Sequence, residues 1–271
     1  MKKLLISVSV LASMSVFATD NTNNFSTFQK FDNQISIGVS DSQMMLSNGA
    51  TNQSLLNNQT MSLDVERQFN NGVWANINAY MMTMTNSLGS QATGVGMGTY
   101  MPVNQNPFLG GFNAKGGYSF ALLPDRILVT PYALLGRNTN LAMSTVVANN
   151  YTNATNDFFY STGFGARIQY VVNPYIDVYL DQSYAFNWDQ SAPATMPAQN
   201  SQQFTTTLGA KYNVYEQLQL GVGLFYDNYQ YTNNAPATTS LTGGSAPNGA
   251  TVSIYQPQYD FGAKISIGMT F

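Results

Sequence analysis

The sequence predicts an all-β fold, a transmembrane up-and-down antiparallel β-barrel of about ten strands, with about twelve as the alternative count. Three observations carry that prediction. Short segments alternate apolar and polar residues at a period of two, and they are joined in turn by tight turns and by long polar loops. Charged residues are only 8% of the 271, against about 25% in a typical soluble protein. No segment approaches the ~20 consecutive apolar residues of a helical span. Insertion into a bilayer would therefore be by strands that close on themselves and pair every backbone group.

Residues 1–18 have the layout of a cleaved secretory signal peptide: Lys2 and Lys3, an apolar run over residues 4–16, and Val16-Phe17-Ala18 before Thr19. Residues 19–33, rich in Asn, Thr and Phe without a clear period, read as an N-terminal lead-in, and residues 34–271 as the barrel. Loss of Lys2 and Lys3 leaves eight basic against 13 acidic residues, a formal charge of −5. A basic surface for nucleic acid is not indicated. The absence of cysteine excludes a disulfide framework, a lipid-modified N-terminal cysteine and a thiol nucleophile.

The strands follow in order. The first, residues 34–44, sets Ile35, Ile37 and Val39 on one face and is followed by a loop over 46–58. The second, 59–69, turns Met61, Leu63 and Val65 outward and Asp64 and Glu66 inward, ending at a tight Asn70-Asn71-Gly72 turn. The third, 73–85, opposes Val73, Ala75, Ile77, Ala79 and Met81 to Trp74, Asn76, Asn78 and Tyr80. Residues 86–107, punctuated by glycine and proline, read as an extended loop that a twelve-strand count would promote to strands. The fourth, 108–121, faces Lys115 inward and turns at Pro124-Asp125 into the fifth, 126–137, which is apolar on both faces, carries Pro131 and leaves its facing open.

After a loop over 138–156, the sixth strand (157–171) sends Arg167 inward. The seventh (175–187) sends Asp177 and Asp181 inward, and the eighth (203–214) Lys211. The ninth, 218–231, shows Leu218, Leu220, Val222, Leu224 and Tyr226 outward, and the tenth starts near residue 251, with an interruption at Pro257. Aromatic residues fall at the two levels where interfacial girdles would lie: Phe69, Phe120, Tyr170, Tyr175, Tyr212 and Phe271 at one, and Phe158, Tyr184, Trp188, Tyr229 and Tyr231 at the other.

Residues 259–271 read Y-D-F-G-A-K-I-S-I-G-M-T-F. Phe261, Ala263, Ile265, Ile267, Met269 and Phe271 share one face, and Asp260, Lys264 and small residues the other. With a secretory signal at one end and Ile267, Met269 and the terminal Phe271 at the other, the chain resembles Gram-negative outer-membrane β-barrels of the porin-like, OmpA-like or opacity type. In that class the last strand carries the signal read by the barrel-assembly machinery. The resemblance implies residence in the outer membrane with periplasmic termini, contact with membrane lipid and lipopolysaccharide, and periplasmic chaperones and the assembly machinery as partners in biogenesis. A monomer is expected.

There is no histidine. Outer-membrane barrel enzymes such as the omptin-type proteases depend on one as base or proton carrier, because imidazole titrates near neutral pH. Ser-His-Asp hydrolysis and histidine-ligated metals are excluded. No catalytic, cofactor or metal site is expected.

Asp64 with Glu66, and Asp177 with Asp181, are neighbours on one strand face and have the spacing of an acid/base dyad or a cation site. The simpler expectation is a lumen lining in which these four are paired across the barrel with Lys115, Arg167, Lys211 and Lys264, since charge facing lipid is costly. Four bases and four acids balance, which argues against a selectivity ring of one sign. The function expected is a narrow porin-like pore or structural membrane protein; the alternative is a surface adhesin or ligand-binding barrel working through long extracellular loops.

Overall fold

The structure is a computed structural model that describes residues 25–47, 53–85, 109–139, 143–146, 152–153, 158–189, 200–215, 217–231, 238–240 and 251–271. One short helix, α1 (Ser26–Asp32), precedes the strands β1 (Gln34–Ser47), β2 (Gln53–Gln68), β3 (Val73–Thr85), β4 (Leu109–Tyr118), β5 (Phe120–Leu123), β6 (Ile127–Thr139), β7 (Met143–Val146) and β8 (Thr152–Asn153). Then come β9 (Phe158–Asn173), β10 (Ile176–Asp189), β11 (Ser201–Tyr215), β12 (Leu218–Tyr231), β13 (Thr238–Ser240) and β14 (Thr251–Thr270).

Ten of these strands form the ring β1-β2-β3-β4-β6-β9-β10-β11-β12-β14, antiparallel throughout, and β14 closes it on β1 from Gln34↔Thr270 upward. β3 pairs directly with β4. The ring therefore closes with ten strands, and residues 86–107 lie outside the described residues.

Alternation sorts the side chains as a membrane barrel requires. Ile35, Ile37, Met61, Leu63, Ile77, Phe112, Phe164, Leu208, Val222, Ile265 and Ile267 are exposed on the outside, while Ser36, Ser62, Glu66, Arg167, Gln169, Asp177 and Lys211 are buried inside. A water-soluble domain would show the reverse. Ile267, Met269 and Phe271 stand on the outer face of the closing strand.

The fifth predicted strand acquires a facing: Leu128, Thr130, Tyr132 and Leu134 are buried in the lumen and Leu135 is exposed outside. Pro131 pairs with Ala166 of β9, but on its other side the ladder is broken between Gly117↔Tyr132 and Phe120↔Val129. A residue without an N–H is tolerated in this strand because one of its two neighbours is interrupted there. Ser119 fills the break, its backbone N donating to Gly72 O (2.7 Å) and its hydroxyl to Gln68 (2.8 Å).

The sequence reading is corrected in three further places. Residues 53–58, expected in a loop, extend β2 and pair up to Ser47↔Gln53. The interruption expected near Pro257 is a bulge and not a break: β14 stays one strand, and its pairing with β1 passes from Met45↔Tyr259 to Leu46↔Pro257, so that Gln258 of β14 is the extra residue. Pairing with β12 has already stopped at Asn228↔Tyr259 and leaves the proline one neighbour strand. Tyr229 and Tyr231, placed in a girdle, lie on the lumen face, Tyr229 beside Gln203 and Tyr231 opposite the buried Ser201, as the alternation of β12 demands once Leu224 and Tyr226 are outside. At the loop end, β14 continues past the ring and pairs with β13 and β7, and β7 with β8.

At the opposite end the turns are short. Gly72 adopts φ 87°, and a Cβ there would meet the Tyr118 ring at 2.8 Å, so conformation and space both require glycine. Asn173 Oδ1 accepts from the backbone N of Tyr175 (2.9 Å) and of Ile176 (3.0 Å), tightening its turn.

Candidate functional site

The lumen is occupied at its short-turn end by helix α1. Phe25, Phe28 and Phe31 recur every third residue, so they fall along one face, and that face is buried against Leu128 and Val171 of the barrel wall. Burying a phenylalanine contributes about 1.5–3 kcal/mol, enough to seat a helix too short to persist alone.

Polar contacts from much of the rim hold the helix in place. Thr27 donates to Asp125 (2.8 Å), Gln29 to Gln68 O (3.1 Å) and to Asn70 (2.7 Å). Asn213 donates to Lys30 O (3.1 Å) and Gln219 to Phe31 O (3.2 Å). Asn33, just after the helix, accepts from the backbone N of Gln68 through its side chain (2.8 Å) and from that of Phe271 through its carbonyl (3.0 Å).

The helix ends on Asp32, which is 0% exposed and completes a four-charge cluster. Lys211 Nζ lies 2.8 Å from Asp32 Oδ1 and 2.8 Å from Glu66 Oε2, and also donates to Phe31 O (3.1 Å). Arg167 pairs with Glu66 and lies 3.5 Å from Asp32. Glu66 comes from β2, Arg167 from β9 and Lys211 from β11, walls that are not adjacent in the ring, so the cluster spans the lumen.

Trp74 Nε1 and Gln34 Nε2 each donate to Glu66 at 2.9 Å, and Gln169 donates to Asp32 at 3.0 Å. The Arg167 guanidinium stacks over Tyr179 at 4.4 Å. Tyr179 in turn lies over Gly209, where any Cβ would strike its ring. For Asp32, which the helix and not a spanning strand supplies, burial pushes the carboxyl upward, and Lys211 and Arg167 pull against that rise.

The other predicted lumen residues lie inside as well. Lys115 bonds Asp181 at 2.9 Å, and Tyr132 donates to the same carboxylate. Lys264 bonds Asp64 at 2.6 Å, and Asn78 donates to Asp64 at 2.6 Å. Asp177 accepts from Gln169 at 3.2 Å.

The two neighbour pairs on single strands do not act as pairs. Glu66 turns to Arg167 and Lys211 while Asp64 turns to Lys264; Asp181 turns to Lys115 while Asp177 stays with Gln169. No group of three or more metal-ligating side chains occurs among the described residues.

Sequence reasoning missed two lumen carboxylates, Asp32 and Asp227, and set Asp260 on the polar face of the last strand without counting it in the lumen lining. Asp32 was passed over with the lead-in, where the spacing of three between Phe25, Phe28 and Phe31 is the one signal of a helical turn and spans too few residues to establish a period. Asp227 and Asp260 follow from continuing the alternation of β12 and β14 upward.

Fold and lumen together define a closed ten-strand membrane β-barrel of the outer-membrane type, plugged from within. No protein-family model and no curated protein matches the sequence. Similar solved structures include the outer membrane protease OmpT of Escherichia coli, at 11% identity over 88% of this chain and 95% of that one, TM-score 0.41. The β domain of the Bordetella autotransporter BrkA has 10% identity over 89% and 100%, TM-score 0.45. The translocator domain of the Neisseria meningitidis autotransporter NalP has 12% identity over 98% and 97%, TM-score 0.43. A likeness at this level transfers no activity.

Proposed function

We propose that the protein is an outer-membrane barrel that works at its loop end, as a surface-exposed recognition or adhesion scaffold, with the lumen serving as a sealed core. The observation that carries this reading is the plug: α1 and the Asp32–Lys211–Glu66–Arg167 cluster join opposite walls at the short-turn end. A narrow porin-like pore would need an aqueous path where these side chains meet. The added strands β7, β8 and β13 on the extension of β14 support a built surface beyond the ring.

Periplasmic termini, a signal-directed route through periplasmic chaperones and the barrel-assembly machinery, and a lipopolysaccharide-containing bilayer around a monomer follow from the same reading. The absence of histidine and the pairing of most lumen carboxylates support a non-enzymatic role.

A gated pore is the second reading, favoured by the exchangeable hydrogen bonds that join α1 to the rim. Planar-bilayer recording of the refolded mature protein tests both. The sealed scaffold is silent, and a variant lacking residues 19–32 conducts. Discrete openings of the wild type would overturn the sealed reading and favour the gate.

A further inference from the structure

The loop end of the lumen holds charges that the plug does not reach. Asp227 on β12 and Asp260 on β14 are direct cross-strand partners. Asp260 is 4% exposed, and Asp227 accepts from Gln203 (3.1 Å) and from Thr205 inside the barrel. Like charges opposed on neighbouring strands repel, and more strongly where bulk water is excluded. Among the described residues no lysine or arginine forms an ion pair with either carboxylate, and Lys115 and Lys264 are held by Asp181 and Asp64.

Asn58 supplies an independent sign of a ligand. It is 0% exposed and its side chain reaches the Asp260 carboxylate, yet its own oxygen has no hydrogen-bond partner, and Oδ1 of Asp260 is equally buried and unpartnered. Buried polar atoms are costly to leave unbonded, so two open oxygens, one on Asn58 and one on Asp260, beside carboxylates that form no ion pair mark a place prepared for a cation. Ser42 pairs in register with Asn58 and adds its hydroxyl beside Asp260.

We propose that Asp227, Asp260, Asn58 and Ser42 bind a divalent cation, with calcium preferred. The donors are all hard oxygens, without the nitrogen or sulfur that would select a transition metal. Side chains from four strands, with water completing the shell, suit the loose six- to eightfold coordination of calcium better than the strict octahedron of magnesium. With two carboxylates, the expected Kd is about 10⁻⁴–10⁻³ M. The site ties β1 and β2 to β12 and β14 and is independent of whether the lumen conducts.

The test uses the full mature barrel refolded in detergent free of lipopolysaccharide, whose phosphates would bind cations themselves. Terbium alone is titrated in, because Tyr229 lies close enough to both carboxylates to sensitise its luminescence. The expected result is one saturable site, displaced by calcium chloride and not by potassium chloride of equal ionic strength, and lost in D260N and D227N.

Asn58→Asp adds a third carboxylate and is expected to tighten calcium binding by about tenfold. It keeps the test decisive should the other variants fail to fold. Absence of a saturable signal in the wild type, its full retention in folded D260N and D227N, or unchanged or weaker binding in N58D would each overturn the proposal.

Discussion

At the short-turn end of the lumen, Asp32 and Glu66 share two cations, Arg167 and Lys211; at the loop end, Asp227 and Asp260 face each other and form no ion pair among the described residues. Both sets are buried in the same narrow barrel, so the difference lies in what the chain supplies. The plug brings Asp32 to two bases already on the wall, and the closed end becomes electrostatically self-contained. At the other end the wall supplies acids, an amide and hydroxyls, and among the described residues no base is ion-paired with them. A barrel interior is thus a set of levels, each of which has to be neutralised locally because charge is not screened along the axis.

The sharpest way to break this comparison is at Lys211. Replacement by methionine leaves Asp32 and Glu66 with Arg167 alone, and removing one partner of a buried cluster costs about 3–5 kcal/mol. Denaturant unfolding of the refolded barrel measures it, and a loss below about 1 kcal/mol would place the cluster among weak, solvated pairs. Phe28→Ala comes next. It should cost about 3 kcal/mol, the low end for buried phenylalanine, because the helix can leave the lumen and let water in. Phe164→Ala, 54% exposed on the outer face, serves as the control and should leave stability in micelles nearly unchanged. Equal effects at the two positions would mean that α1 does not seal the barrel.

The ring itself was legible in the sequence because period-two alternation, tight turns and the price of lipid-facing charge all point the same way, and residues such as Asp64, Lys115 and Lys211 could be assigned to the lumen from parity alone. Parity does not report how far a strand continues. Residues 53–58 carry the Asn, Gln and Ser of a loop and still pair with β1 up to Ser47↔Gln53, because backbone pairing does not depend on the polarity of the side chains. Nor does it report what crosses the lumen: α1 is only two turns long, below the length at which helical periodicity asserts itself, and its three phenylalanines look like loop aromatics until a wall is placed beside them. The facing of residues 126–137 was hidden for a different reason. Both faces are apolar, and only the break at Ser119 explains Pro131.

Gly72→Ala tests the short-turn end on a smaller scale. The left-handed backbone and the Tyr118 ring both oppose a Cβ, and the expected loss is about 1–3 kcal/mol, read as a lower unfolding midpoint. Asn at the same position tolerates the conformation better but meets the same ring. A Gly72→Asn variant that matches wild type would show that Tyr118 moves aside and that the close approach is not a constraint.

The smallest effect carries the most information about the difference between the ends. Asp227→Asn in calcium-free buffer removes one of two opposed charges while its oxygen can still accept from Gln203 and Thr205, so it should stabilise the barrel by about 0.2–1 kcal/mol. The same neutralisation at Glu66, as Glu66→Gln, should destabilise it, because there the charge is the compensation. Calcium should then reverse the order of wild type and Asp227→Asn, raising the unfolding midpoint of the first and leaving the second unmoved. If Asp227→Asn lowers stability without calcium, the hydrogen bonds to that carboxylate already outweigh its repulsion by Asp260, and the loop end is as self-contained as the plugged one.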